Sequence, residues 1–139
     1  MPNSLHLTIT TPERIVYEGD VQSVTVPTID GEIGVLPHHV PLVSVLAAGE
    51  LHAITTTGES QPMAVSGGFI EVNDNNVVIL ADTAEHAHEI DEQRAEEARA
   101  RAQKLLTERA ADVDYAEVQA ILSKELARLK VVRRRRKSV

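Results

Sequence analysis

Residues 30–51 read DGEIGVLPHHVPLVSVLAAGEL, and the pattern of that stretch decides the fold. Two short runs of apolar β-formers, at 32–36 and 42–46, flank a segment carrying Pro37, His38, His39 and Pro41. Each proline fixes φ and lacks the backbone donor that a central strand needs, so the segment belongs at the edge of a sheet. Gly31, Gly34 and Gly49 suit positive φ or close backbone approach. The stretch reads as a shaped docking surface and carries no pattern of an active site.

Working outward, LHLTIT at 5–10 and VQSVTV at 21–26 alternate apolar and polar residues, as a strand with one buried face does. Further short runs lie at 15–17, 51–57, 62–66, 68–72 and 76–81. Turn chemistry separates them: Glu18-Gly19-Asp20, Thr28 to Gly31, Ala48-Gly49, Thr57-Gly58, Gly67-Gly68 and Asn73 to Asn76. Eight to ten short strands at this spacing predict a β-sandwich or flattened barrel over residues 1–88. The pattern then turns helical, with Ala95, Ala98, Ala102, Leu105 and Leu106 on one face. Asp91 is placed to cap this first helix, and Glu97 with Arg101 is an i,i+4 pair. After a break at 110–113, Asp114 and Glu117 have capping-box spacing for a second helix, predicted to end near Val131. Its stripe of Tyr115, Val118, Leu122, Leu126 and Leu129 faces the alanines. The expectation is α+β: a sandwich followed by an antiparallel helical hairpin at 89–139. Two isolated helices of this length are marginal in water, so the hairpin needs a surface to lie on and is a candidate moving part.

Composition narrows the function classes. Aromatic residues are 2% of the chain and Trp is absent, so Val, Ile, Leu and Ala build the core and there is no platform for stacking bases or sugars. With no cysteine, disulfides, thiolate catalysis and Cys-ligated zinc are excluded. The start Met-Pro-Asn-Ser lacks the features of a secretory signal, no apolar run has bilayer length, and a cytosolic setting is expected. Charge divides unevenly. Residues 1–90 hold one base and 12 acids, whereas residues 91–139 hold 13 bases and nine acids, giving −11 and +4. Such asymmetry fits either two units with different partners or attraction between the two.

His38-His39 and His86-x-His88 raise a metal site, but no spacing fixes a third ligand. Asp30 with Glu32, and Glu96 with Glu97, lack an accompanying nucleophile, oxyanion donor or cofactor motif, so no catalytic residue is assigned. Arg133-Arg134-Arg135-Arg136-Lys137 admits three readings: a solvated tail, a contact with nucleic acid or anionic membrane, or a clamp on an acidic protein surface.

GEIGVLPHHVPL at 31–42, AVSGGFIEV at 64–72, VVILADTAE at 77–85 and IDEQRAEEARARAQ at 90–103, in that order, resemble the epsilon subunit family of bacterial F-type ATP synthases. The resemblance covers essentially the whole chain. It implies a non-catalytic rotor subunit of the central stalk that couples proton translocation to ATP synthesis. The sandwich would bind the gamma subunit and the c ring, with Gly31, Glu32, Gly34, Pro37, His39 and Pro41 at that contact. The hairpin would permit turnover when compact and inhibit hydrolysis when extended toward the alpha and beta subunits, reaching them with Arg133 to Arg136 and Lys137. In some members a regulatory ATP binds the motif Ile/Leu-Asp-x-x-Arg-Ala. Ile90, Asp91, Arg94 and Ala95 match it, with Glu85, Arg101, Lys124 and Arg128 nearby; no cofactor is otherwise required. Lys124 stands where strong binders have Arg and offers no bidentate grip on phosphate. The implied location is the cytoplasmic face of the bacterial inner membrane, peripheral and held there by the complex. The competing reading is a free sandwich adaptor whose basic helical tail binds nucleic acid.

Overall fold

The computed structural model describes residues 3–108 and 112–137. Its strands are β1 (Leu5–Thr10), β2 (Ile15–Thr28), β3 (Gly31–Val35), β4 (Leu42–Val45), β5 (Gly49–Thr55), β6 (Ser60–Asn73) and β7 (Asn76–His86). A 3-10 turn at Ala87–Glu89 leads to helices α1 (Glu92–Glu108) and α2 (Tyr115–Lys137). The architecture is the expected sandwich with a C-terminal helical pair. Five strands close on themselves in the order β1-β7-β6-β5-β2, because β1 pairs with both β7 and β2; β3 extends from β2, and β4 from β6.

Seven strands replace the expected eight to ten, because two predicted breaks do not break the chain. Glu18-Gly19-Asp20 continues inside β2, since β1 pairs straight across it at Thr8–Glu18, Leu7–Gly19 and His6–Asp20. Gly67-Gly68 bends β6 without ending it. Both glycines have positive φ, +68° and +106°, and a Cβ on Gly68 would collide with the Leu80 carbonyl of β7. At this corner the buried phase changes on both strands. It passes from Met63 and Val65 to Ile70 and Val72 on β6, and from Ile79 and Ala81 to Ala84 on β7.

The core inside the closed sheet is aliphatic, with Leu5, Leu7, Ile9, Val21, Val24, Leu51, Met63, Ile70 and Ile79 at 2% exposure or less. Each large side chain buried this way contributes roughly 1.5–3 kcal/mol, so the domain is stabilised with little aromatic packing, Tyr17 lying partly buried against the core.

Asp91 accepts the Arg94 amide at 3.0 Å and Asp114 accepts that of Glu117 at 3.2 Å, which confirms both helix starts. The packed faces differ in detail from the sequence pattern. Ala95 and Ala102 are buried on α1, while Leu105 turns to solvent at 38% exposure. On α2, Val118, Leu122 and Leu129 are buried, whereas Tyr115 and Leu126 are 38% and 49% exposed. The expected Glu97–Arg101 pair gives way to Arg99–Glu96 at 2.7 Å. Helix α2 runs six residues beyond Val131, carrying the arginine run as helix. The hairpin lies on the sheet: α2 packs on β5 and β6, and α1 packs on α2. Two faces of α2 are therefore covered, and a single stripe reading undercounts them.

Candidate functional site

The edge expected to dock begins at the 28–31 turn, where the Thr28 hydroxyl donates to the Gly31 carbonyl at 2.6 Å and Gly31 takes φ +107°. Gly31, Glu32 and Gly34 lie on β3, paired with β2, and all three are exposed. Gly49 meets the expected close approach, since a Cβ there would sit 2.9 Å from the Pro27 Cβ. Gly34 needs neither positive φ nor close approach: a Cβ on it meets nothing within 4 Å. Pro37, His39 and Pro41 fall in the connection between β3 and β4. That connection is pinned by a residue the sequence reading passed over. Asn75, in the β6–β7 turn with Asp74, accepts the His38 amide at 2.8 Å through Oδ1 and donates to the Ser4 carbonyl at 2.8 Å through Nδ2. Both turn residues have positive φ, as a two-residue hairpin of the I′ kind requires.

An apolar strip adjoins this edge. Thr10 pairs with Ile15 and with Leu80, Leu80 pairs with Phe69, and Phe69 pairs with Val45, so one outward row crosses five strands. Ile15, Leu80, Phe69 and Val45 are exposed by 61%, 53%, 55% and 38%, and Val43 beside them by 69%. The signal was present in the sequence. In GFIEV, Ile70 and Val72 take the inward phase, which leaves Phe69, the single Phe of the chain, facing out.

The outer side of β5 and of the Met63–Val65 part of β6 is the seat of the hairpin. Arg128 of α2 donates to Glu85 of β7 at 2.7 and 3.2 Å and to Glu125 at 2.6 Å. Arg134 meets Glu50 of β5 at 2.5 Å, and Arg133 meets Glu92 and Glu96 of α1 at 3.2 and 3.3 Å. Arg99, and after it Arg133, hold the Glu96 carboxyl below the usual carboxylate range. Arg14 reaches Glu89 at 2.8 Å and lowers its carboxyl likewise, against the opposing effect of burial, fixing the 3-10 turn to the β1–β2 connection. Of the two readings of the charge asymmetry, attraction between the two units is thus realised by two arginines, Arg128 on Glu85 and Arg134 on Glu50, while Arg133 ties the two helices to each other. The side chains of Arg136 and Lys137 lie outside the described residues.

The residues matched to nucleotide binding are brought together only in part. Glu85 and Arg128 are paired, Lys124 is half-buried on α2, and Ile90 and Ala95 are buried in packing. Asp91 caps α1, Arg94 is 84% exposed with a loose 3.9 Å contact to Asp91, and Arg101 faces solvent. His86 and His88 stack at 5.3 Å, and the His86 Nε2 lies 2.9 Å from the Val16 carbonyl.

A closed β-domain with an exposed apolar strip, a pinned edge loop and a charge-seated helical pair defines a class of small assembly subunit. Residues 4–87 match the family model described as ATP synthase, Delta/Epsilon chain, beta-sandwich domain. Residues 88–133 match that for ATP synthase, Delta/Epsilon chain, long alpha-helix domain. The chain belongs to the delta/epsilon family of ATP synthase subunits, as an epsilon chain. It is 46% identical over 132 residues to the ATP synthase epsilon chain of Herpetosiphon aurantiacus, covering 95% of this chain and 96% of that one. The epsilon chain of Chloroflexus aggregans is 50% identical over 127 residues, 91% of each chain. Among solved structures, a chain of the Euglena gracilis mitochondrial ATP synthase OSCP/F1/c-ring assembly superposes with TM-score 0.70 at 26% identity, over 99% of this chain and 82% of that one. No helix of the described residues is long and apolar enough to cross a membrane.

Proposed function

We propose that this epsilon subunit works as a non-catalytic part of the rotor, joining the gamma subunit to the c ring through its β-domain and restraining ATP hydrolysis through its hairpin. The observation that carries the reading is the exposed apolar patch of Leu80, Phe69, Val45 and Val43, with Ile15 beyond Thr10 at its end, a surface of the kind that marks a protein interface. It adjoins the edge made by Gly31, Glu32 and Gly34 of β3 and by Pro37, His39 and Pro41 of the connection to β4, and strip and edge together supply a face for gamma and the ring. Membrane association, at the cytoplasmic face of the inner membrane, then comes through the complex. In the extended form the Arg133 to Arg136 and Lys137 end of α2 meets acidic surface on alpha and beta.

A regulatory ATP at Glu85, Asp91, Arg94, Arg101, Lys124 and Arg128 would have to share or displace the ion pairs of Arg128 in the compact form. All three nitrogens of the Arg128 guanidinium are bonded to Glu85 and Glu125, and a triphosphate would add negative charge beside both carboxylates.

Phe69→Asp tests the reading, because it places a charge in the strip without touching the core. The isolated variant is expected to keep its melting temperature, while recovery of gamma with the tagged chain falls at least ~10-fold. Undiminished recovery of gamma would show that the strip is not the docking face.

A further inference from the structure

The hairpin seat has a geometric regularity. Ala64 of β6 pairs with Glu50 of β5 on one side and with Glu85 of β7 on the other, so Glu85, Ala64 and Glu50 form one outward row across three strands. Carboxylates two strands apart stand about 9.6 Å from each other at the backbone. On α2 the facing residues are Arg128, Val131 and Arg134, at i, i+3 and i+6, and six residues of α-helix rise about 9 Å. The two spacings agree within an ångström. Arg128 takes Glu85, Val131 is fully buried in a cluster with Ala64, Ala87 and Ile90, and Arg134 takes Glu50.

The Glu50 end is the demanding one. Its side chain is 6% exposed, Oε1 receives Arg134, and Oε2 has no hydrogen-bond partner among the described residues. Among the ion pairs of the described residues, Glu50 meets Arg134 alone, so the neutralisation of this nearly buried charge depends on that one guanidinium. Sliding α2 by four residues would put Lys124, Ala127 and Lys130 in place of Arg128, Val131 and Arg134; lysine offers no planar grip like that of Arg128 on Glu85 and Glu125, and alanine does not fill the contact of Val131, so the observed register is the better satisfied one.

We propose that Arg128–Glu85 and Arg134–Glu50 form a two-point charge clamp that fixes the register of α2 on the sheet and withholds the basic end of the helix from other acidic surfaces. The compact packing thereby restrains its own inhibitory charges: Glu50, Glu92 and Glu96 compete within the chain for Arg134 and Arg133. The proposal rests on the hairpin being the moving, regulatory element. It also reverses the simplest expectation for the arginine run, since neutralising Arg134 weakens the compact state as well as any grip on a partner.

The chain has no cysteine, so Glu59→Cys and Lys130→Cys, both at exposed positions, admit a pair of spin labels on the full-length protein. Pulsed dipolar spectroscopy on the isolated chain is expected to give one short, narrow distance. Arg134→Leu leaves Glu50 buried and unpaired, and the docking equilibrium should fall ~100-fold, seen as a second, longer and broader distance. Adding Glu50→Met removes the stranded charge and should restore the narrow distance. Arg128→Leu with Glu85→Met should repeat the pattern at the other end, so the idea does not hang on one variant. A single variant that stays docked like the parent, or a double variant as open as the single, overturns the clamp. These measurements involve no other subunit, so their failure leaves the rotor reading standing, whereas undiminished gamma recovery by Phe69→Asp would remove the docking face and leave the clamp intact.

Discussion

Asn75 joins three segments with one side chain, and it does so because an amide both donates and accepts. Its oxygen holds the His38 amide and its nitrogen holds the Ser4 carbonyl, so the 36–41 loop, the residue before β1 and the β6–β7 turn are tied together. Spacing identified the turn, but the reach of its amide to His38 depends on strands 37 positions apart being neighbours. His6 illustrates the same dependence with charge. Its imidazole lies 3.0 Å from Asp20 and 3.4 Å from Glu18 on the paired strand, and these hydrogen bonds raise its pKa above the ordinary 6.5 against a small opposing effect of burial. Because the folded value is the higher one, the contribution to stability is complete below the unfolded value and disappears as pH rises through the folded value. A proton NMR titration is expected to place the His6 midpoint above 6.5 and to return it toward 6.5 in Asp20→Asn; an unmoved midpoint in that variant would remove Asp20 as the cause.

At the scale of elements, α2 has a mean composition that looks polar, yet it is the better buried of the two helices because two faces are covered. Val118 and Leu122 pack toward α1, while Val131 and its neighbour Val132 pack on the sheet with Ala64, Ala87 and Ile90. Periodicity exposed the first face; the second was hidden because arginines and valines share it, and the arginines find Glu85 and Glu50 on strands distant in the sequence. Val131→Asp places an unpaired carboxylate in that contact and should cost about 3 kcal/mol or more of docking. Hydrogen exchange is expected to show lost protection along α2 with β1, β6 and β7 unchanged. Equal loss throughout would mean that sheet and hairpin unfold as one unit. The Gly67-Gly68 corner carries a parallel lesson for strands. A glycine pair reads locally as a break, but with β7 bonded alongside it serves as a bend, because pairing on both flanks outweighs the local preference for a turn.

For the molecule as a whole, the acidic β-domain and the basic helical end form an electrostatic couple, Arg128 on Glu85 and Arg134 on Glu50, and an apolar strip of the β-domain is left open elsewhere. Removing residues 91–139 should leave gamma recovery unchanged and raise ATP hydrolysis by the assembled complex severalfold, measured as steady-state turnover with and without the truncation. Loss of assembly on truncation would show that the hairpin also holds the complex together. The sequence by itself determined the class of fold, the positions of the helix caps and the family, because alternation, turn residues and Asp91 and Asp114 act over a few residues and leave a local trace. Only the tertiary structure decided the strand count, the alignment of Phe69 with Leu80 and Val45 in one outward row, and the seat of α2. Each of these depends on which strands lie side by side, and that adjacency brings Glu50, Ala64 and Glu85 into one row although 35 positions separate the first from the last.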